Sequence, residues 1–227
     1  MINRIIATVL GISLAAVAVC AEPDAPVSVL LITLDTTRAD HLGCYGSDLG
    51  ATPNLDRLAG GGALFLQALS PAPLTLPSHT SLFSARVPRR HGARDNLNFT
   101  VDEQVPLLAE ELSRAGGTPA AWVGSVVLDR STGLDRGFGS YDDTVRVGER
   151  TAFDYRERAA SQVVDAVLDD LPEIEPPFFL WVHLFDPHLP YVPPEPFRSR
   201  FKGNLYAGEI AFMDDQVGRL LKAVRKK

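Results

Sequence analysis

The chain has 227 residues, 45% of them hydrophobic and 22% charged, which is enough apolar material for one sizeable core and too much for a disordered chain. A formal net charge of −6 excludes a domain that grips nucleic acid through a broad basic face. Cysteine is confined to Cys20 and Cys44, and cleavage after Ala21 would leave Cys44 alone, which excludes an internal disulfide.

In chain order, the first segment reads as an address rather than as structure. Arg4 supplies a positive start, Ile5 to Val19 is an apolar run, and Val19-Cys20-Ala21 offers small residues for cleavage, so residues 1–21 are expected to be a secretory signal peptide. The product would be secreted or periplasmic, with no stable membrane span after cleavage. A membrane anchor and a lipoprotein cysteine at Cys20 are the alternatives. The run is short for a bilayer and has no basic stop after it, and Val19 is bulky for a lipoprotein site.

Val27 to Asp35 is a nearly continuous branched apolar run that predicts a strand buried on both faces and closed by a carboxylate. Thr52-Pro53 predicts a helix start with Leu55, Leu58 and Ala59 on its apolar face and Gly60-Gly61-Gly62 after it. Further helices are expected over Pro77 to Ala85 and Glu103 to Ala115, the latter with Pro106 in its first turn. Thr118 to Val123 predicts a strand, Phe153 to Leu171 a helix ended by Pro172, Phe178 to His183 a buried strand, and Tyr206 to Val224 a long amphipathic helix. Pro187 to Pro196 is proline-dense but interleaved with aromatic residues, which predicts an ordered loop. The alternation implies an α/β fold, a mainly parallel sheet flanked by helices, with about three evident strands.

Three features could carry chemistry. Asp35 and the segment after His183 fall at carboxyl ends of strands, where open α/β sheets collect ligands, and a carboxylate there suits a hard cation. Asp35 could equally cap a turn. Thr75 stands just ahead of the helix expected from Pro77, where backbone N–H groups and the helix dipole favour an anion, although Thr75 or Ser78 could be an ordinary cap. Arg86, Arg89, Arg90, His91 and Arg94 follow that helix, as an anion-attracting patch or as a solvated helix end.

Taken together, Val29 to Gly46, Thr52 to Asp56, Thr75 to Leu82, Arg89 to Asn96 and His183 to Tyr191 resemble, in order and spacing, the opening of the sulfatase family within the alkaline-phosphatase superfamily. The resemblance covers Val27 to about Val224. It implies an alkaline-phosphatase/sulfatase-like domain over 27–227, an N-terminal portion with its C-terminal part missing. The implied activity is metal-dependent hydrolysis of a small anionic sulfate or phosphate ester through a covalent intermediate on Thr75. By the same resemblance Asp35 and Thr75 bind a divalent cation, which could be calcium, magnesium, manganese or zinc. Asn96, His79 and Ser125 would contact the substrate, and His188 would face the leaving group, although a histidine beside Pro187 can also be a plain loop residue. Oligomeric state is left open.

The sequence also departs from that family. Sulfatases proper carry a cysteine or serine at the nucleophile position, oxidised to formylglycine, followed by Pro-Ser-Arg. Here Thr75 and His79 stand instead, and oxidation of a threonine would give a ketone, so formylglycine is not expected. Relatives that use an unmodified threonine transfer or hydrolyse phosphate esters, so the resemblance leaves phosphodiester and phosphonate chemistry open alongside sulfate esters; Thr36 also replaces a second carboxylate, as in phosphoester-directed relatives. The Asp-His metal pair that the family carries farther along is lacking, so a catalytically inactive truncated protein is one alternative. A phosphoryl transferase acting on lipid or polymer headgroups is another.

Overall fold

Alternation along the central strands organises the domain. The computed structural model describes residues 27–145 and 157–227. Its strands are β1 (Val29–Leu34), β2 (Thr118–Val123), β3 (Ser140–Asp142) and β4 (Phe178–Leu184). Its helices are α1 (Pro53–Gly60), α2 (Thr75–Ser84), α3 (Pro88–His91), α4 (Leu108–Arg114), α5 (Ala160–Asp170), α6 (Phe197–Arg200) and α7 (Leu205–Val224). The sheet runs β1-β4-β2-β3 with every pair parallel. The three expected strands are present. The edge strand β3 was not expected, because three residues after a Gly- and Asp-rich loop offer no apolar period to detect.

Leu180, Val182 and Leu184 of β4, with Ala120 and Trp122 of β2, face α5 and α7, whose Val163, Val164, Val167, Met213, Val217 and Leu220 complete an aliphatic core. The intervening Phe179 and Trp181, with Ala121 and Val123, face the opposite side against Leu76 and Phe83 of α2 and Leu107 at the head of α4. Helices on both faces leave β4 buried throughout, which explains its unbroken apolar run. Each large aliphatic side chain removed from water contributes roughly 1.5–3 kcal/mol.

Helix boundaries differ from expectation where distant side chains intervene. The third expected helix begins at Leu108 rather than Glu103. The Arg136 guanidinium donates to the carbonyls of Asp102, Glu103 and Val105, which holds that stretch as a turn. Before α1, Thr52 makes no side-chain cap; the Asp214 carboxylate of α7 accepts the Asn54 and Leu55 amides at 3.0 and 2.8 Å instead. The α5 helix begins at Ala160, whose amide donates to Asp186 at 2.7 Å; the part of its expected span over 153–156 lies outside the described residues. The signal peptide expected over 1–21 lies outside them too. Among the described residues no helix is long and apolar enough to cross a membrane.

Candidate active site

Asp35 follows β1 directly, and its amide donates to the Leu184 carbonyl at 3.0 Å, fixing the carboxylate at the carboxyl ends of two neighbouring strands. Its Oδ1 accepts the Thr36 amide at 2.9 Å, and its Oδ2 accepts the Thr75 hydroxyl at 2.8 Å. Thr36 has a φ of +45°, a left-handed conformation that a β-branched residue rarely adopts. The Tyr206 hydroxyl donates to the Thr36 carbonyl at 2.7 Å, and the Thr36 hydroxyl donates to the Pro187 carbonyl.

Thr75 is the first residue of α2, two positions earlier than the sequence suggested, and is 8% exposed. Its hydroxyl makes no cap and points across to Asp35 instead. The next amide, Leu76 N–H, donates to Asn96 Oδ1 at 3.0 Å, so the Asn96 side chain sits on the helix N-terminus. Ser78, Thr80 and Ser81 turn their hydroxyls back onto the carbonyls of Thr75, Leu76 and Pro77.

One turn into α2, His79 Nδ1 lies 2.7 Å from the Thr75 carbonyl. A carbonyl can only accept, so Nδ1 carries the proton and Nε2 is a bare acceptor, buried without a hydrogen-bond partner. Burial and the neighbouring His183 push the His79 pKa down to about 4, which keeps the ring neutral. With Thr33, Leu34, Ser78, Leu82 and Arg86, His79 also lines a cavity of about 600 Å³.

His183 escaped sequence reasoning. It is the inward-facing residue near the end of β4, fully buried, with Nε2 3.6 Å from Asp35 Oδ2 and its ring 5.0 Å from that of His79. The signal was a polar residue closing the inward series Phe179, Trp181, His183 and paired with Thr33, two residues before Asp35. Burial pushes the Asp35 carboxyl up, but the facing His183 imidazole and the Thr75 hydroxyl outweigh it and hold its pKa below the ordinary value.

The remaining expected residues lie at other stations. Ser125 is buried and its hydroxyl accepts the Val127 amide at 3.5 Å, a local cap on the turn that follows β2. His188 lies in the loop after β4, stacked at 4.3 Å on Phe185, whose ring is 6.2 Å from that of His183. Its amide donates to Glu209 at 3.0 Å, and its Nδ1 lies 3.9 Å from Glu157. Burial, reinforced by Asp186, pushes the Glu157 and Glu209 carboxyls up to about 7; burial takes Asp186 itself to about 6. Within the basic cluster Arg86, Arg89, Arg90 and Arg94 are exposed, but His91 is buried against the Ser81 hydroxyl at 2.9 Å and belongs to the packing.

Among the described residues no group of three or more His, Cys, Asp or Glu is arranged to hold a metal ion. Asp35 Oδ2 and Thr75 Oγ1 nonetheless present two adjacent oxygens, a fit for part of the shell of about six that a hard divalent cation takes.

Comparison with known proteins adds three relatives and a family. The family model described as Sulfatase matches residues 28–227. Human N-acetylgalactosamine-6-sulfatase is 27% identical over 244 residues, which cover 88% of this chain and 47% of that protein. The chain therefore spans about half the length of that curated relative. Phosphonate monoester hydrolase of Agrobacterium radiobacter has the same fold at a TM-score of 0.70 and 17% identity, over 88% of this chain and 59% of that one. The C-terminal periplasmic domain of EcEptC from Escherichia coli, solved in complex with zinc, has it at 0.68 and 17%, over 90% and 61%.

Proposed function

The chain belongs to the sulfatase family, and on that premise we propose that it carries the nucleophile half of a metal-dependent hydrolase of sulfate or phosphate esters. The observation that supports this reading is the 2.8 Å hydrogen bond from the Thr75 hydroxyl to Asp35 Oδ2 at the N-terminus of α2. An alcohol is a weak nucleophile until its proton is lost, and the hydrogen bond to the ionised Asp35 fixes the direction in which its oxygen points. The helix end concentrates N–H donors where the nonbridging oxygens of a tetrahedral anion would lie, and Asn96 adds its amide beside them.

In this reading Thr75 Oγ1 forms a bond to phosphorus or sulfur as the bond to the leaving oxygen breaks. The threonine proton passes to water while Asp35 stays ionised, and His188 supplies a proton to the departing alkoxide. Water then cleaves the threonine ester and frees the anion. Asp35 and Thr75 would hold the divalent cation, which when bound favours the ionised hydroxyl and offsets charge developing on the ester oxygens. His79 stands where sulfatases proper carry an arginine; its one N–H is held by the Thr75 carbonyl, so Nε2 would accept from a protonated oxygen or a water and does not neutralise the anion. Thr75 is the nucleophile without prior oxidation. The signal peptide proposed for residues 1–21 would take the product to the periplasm or beyond.

The test is Thr75→Ala in the whole protein, assayed against an aryl sulfate, an aryl phosphate diester and an aryl phosphonate. Turnover of whichever ester the parent accepts should fall by at least about a thousandfold with the fold intact. Unchanged turnover would remove the nucleophile from the mechanism.

A further inference from the structure

Two buried imidazoles adjoin the proposed nucleophile, and only one of them hydrogen-bonds to the element that carries it. His79 is tied to α2 through the Thr75 carbonyl, whereas His183 belongs to β4 and faces Asp35 from inside the sheet. The backbone around His183 sets its tautomer. The Gly124 amide, which donates to the His183 carbonyl at 3.1 Å, also points at His183 Nδ1 at 3.4 Å. A backbone amide can only donate, so the Nδ1 lone pair faces it and the ring proton resides on Nε2. That N–H looks at Asp35 Oδ2 from 3.6 Å, roughly 0.4 Å beyond the usual hydrogen-bond range. His183 Nε2 is inaccessible to solvent and has no other hydrogen-bond partner. A buried N–H without a partner is costly, which makes Asp35 the acceptor it is aimed at.

The surroundings keep the ring in that orientation. His183 is fully buried, its ring is edge-on to His79 at 5.0 Å and lies 6.4 Å from Trp181, and Trp181 Nε1 donates at 3.0 Å to Oγ1 of Thr33, the residue paired with His183. Gly124 is part of the same device, since a Cβ there would come within 3.1 Å of the His183 carbonyl and 3.3 Å of the Phe185 amide. Asp35 is then held from three directions: Thr36 N–H on Oδ1, and Thr75 O–H with the His183 N–H on the Oδ2 side.

We propose that His183 is a positioning residue whose Nε2–H orients the Asp35 carboxylate, and through it both the cation that Asp35 would hold and the Thr75 hydroxyl. The inference rests on the reading of Asp35 given above. Partners in this role commonly change metal affinity or activity by 10- to 100-fold when removed.

Three variants of the whole protein separate this role from packing. His183→Gln places an amide N–H at the Nε2 position, His183→Asn places one at the Nδ1 position, and His183→Leu places none. The readouts are competition for bound divalent ion against a chelator, kcat and KM on the accepted ester, and the thermal midpoint. His183→Gln should keep metal affinity within about threefold of the parent, while Asn and Leu should lose about tenfold or more with kcat falling and KM little changed. If His183→Leu fails to fold, the Gln and Asn pair still decides the matter. Asn equal to Gln, or a folded Leu variant that keeps the ion and the rate, would overturn the proposal. A parent protein that holds no divalent ion would instead bring down the reading of Asp35 and this inference together.

Discussion

On one face of β4 stand Phe178, Leu180, Val182 and Leu184; on the other stand Phe179, Trp181 and His183. The first series meets α5 and α7 through aliphatic side chains that have no chemistry to offer. The second meets α2 through aromatic rings and ends in an imidazole beside Asp35. A single strand therefore carries a packing register and a functional register in alternate residues, which a two-residue period makes possible. The difference teaches that burial by itself does not tell a core residue from a site residue. His183 is as buried as Val182, and its role follows only from what lies opposite its nitrogen atoms.

Substitutions can break this contrast. On the packing face, Leu180→Ala should cost about 3 kcal/mol in denaturant titration while leaving turnover per folded molecule unchanged. A folded Leu180→Ala protein with a damaged rate would show that the two registers are not separable. Gly124 lies where they meet, and Gly124→Ala should lower both stability, by about 1–2 kcal/mol, and turnover, because the β2 end must move away from His183. Loss of stability alone would place the registers farther apart than the geometry implies.

The smallest effect concerns the loop beyond β4. The Glu209 carboxyl, pushed up to about 7 in the folded protein, holds its proton where the unfolded chain has released it. The folded state then binds more protons between about pH 4.5 and 7, so this group lowers stability as pH rises through that window. Relative to the parent, Glu209→Gln should gain stability between pH 5 and pH 8, read from paired denaturation curves. A difference that does not change with pH would mean that Glu209 is ionised throughout.

Much of this was legible in the sequence. Long apolar runs gave away β1, β2 and β4, and a helical apolar stripe gave away α7, because burial on both faces or on one stripe leaves a periodic trace. Asp35 and Thr75 were legible because each stands at the end of an element. Asp214 capping α1, Arg136 unwinding the start of α4 and His183 facing Asp35 were not. Each is a contact between residues far apart in the chain, and its partner leaves no mark in the local pattern. The His183 position needed the strand pairing, which places it in register with Thr33.

Thr36 has a mechanical consequence. In its left-handed conformation, unfavourable by roughly 1–2 kcal/mol, it is clamped at once to Asp35, to the carbonyl of Pro187 and to the Tyr206 hydroxyl of α7. It acts as a rigid coupling between the pivot that carries Asp35 and the arm that carries His188. The turn after β1 and the loop after β4 should therefore shift as one body, and the backbone order parameters of residues 35 and 188 should rise and fall together.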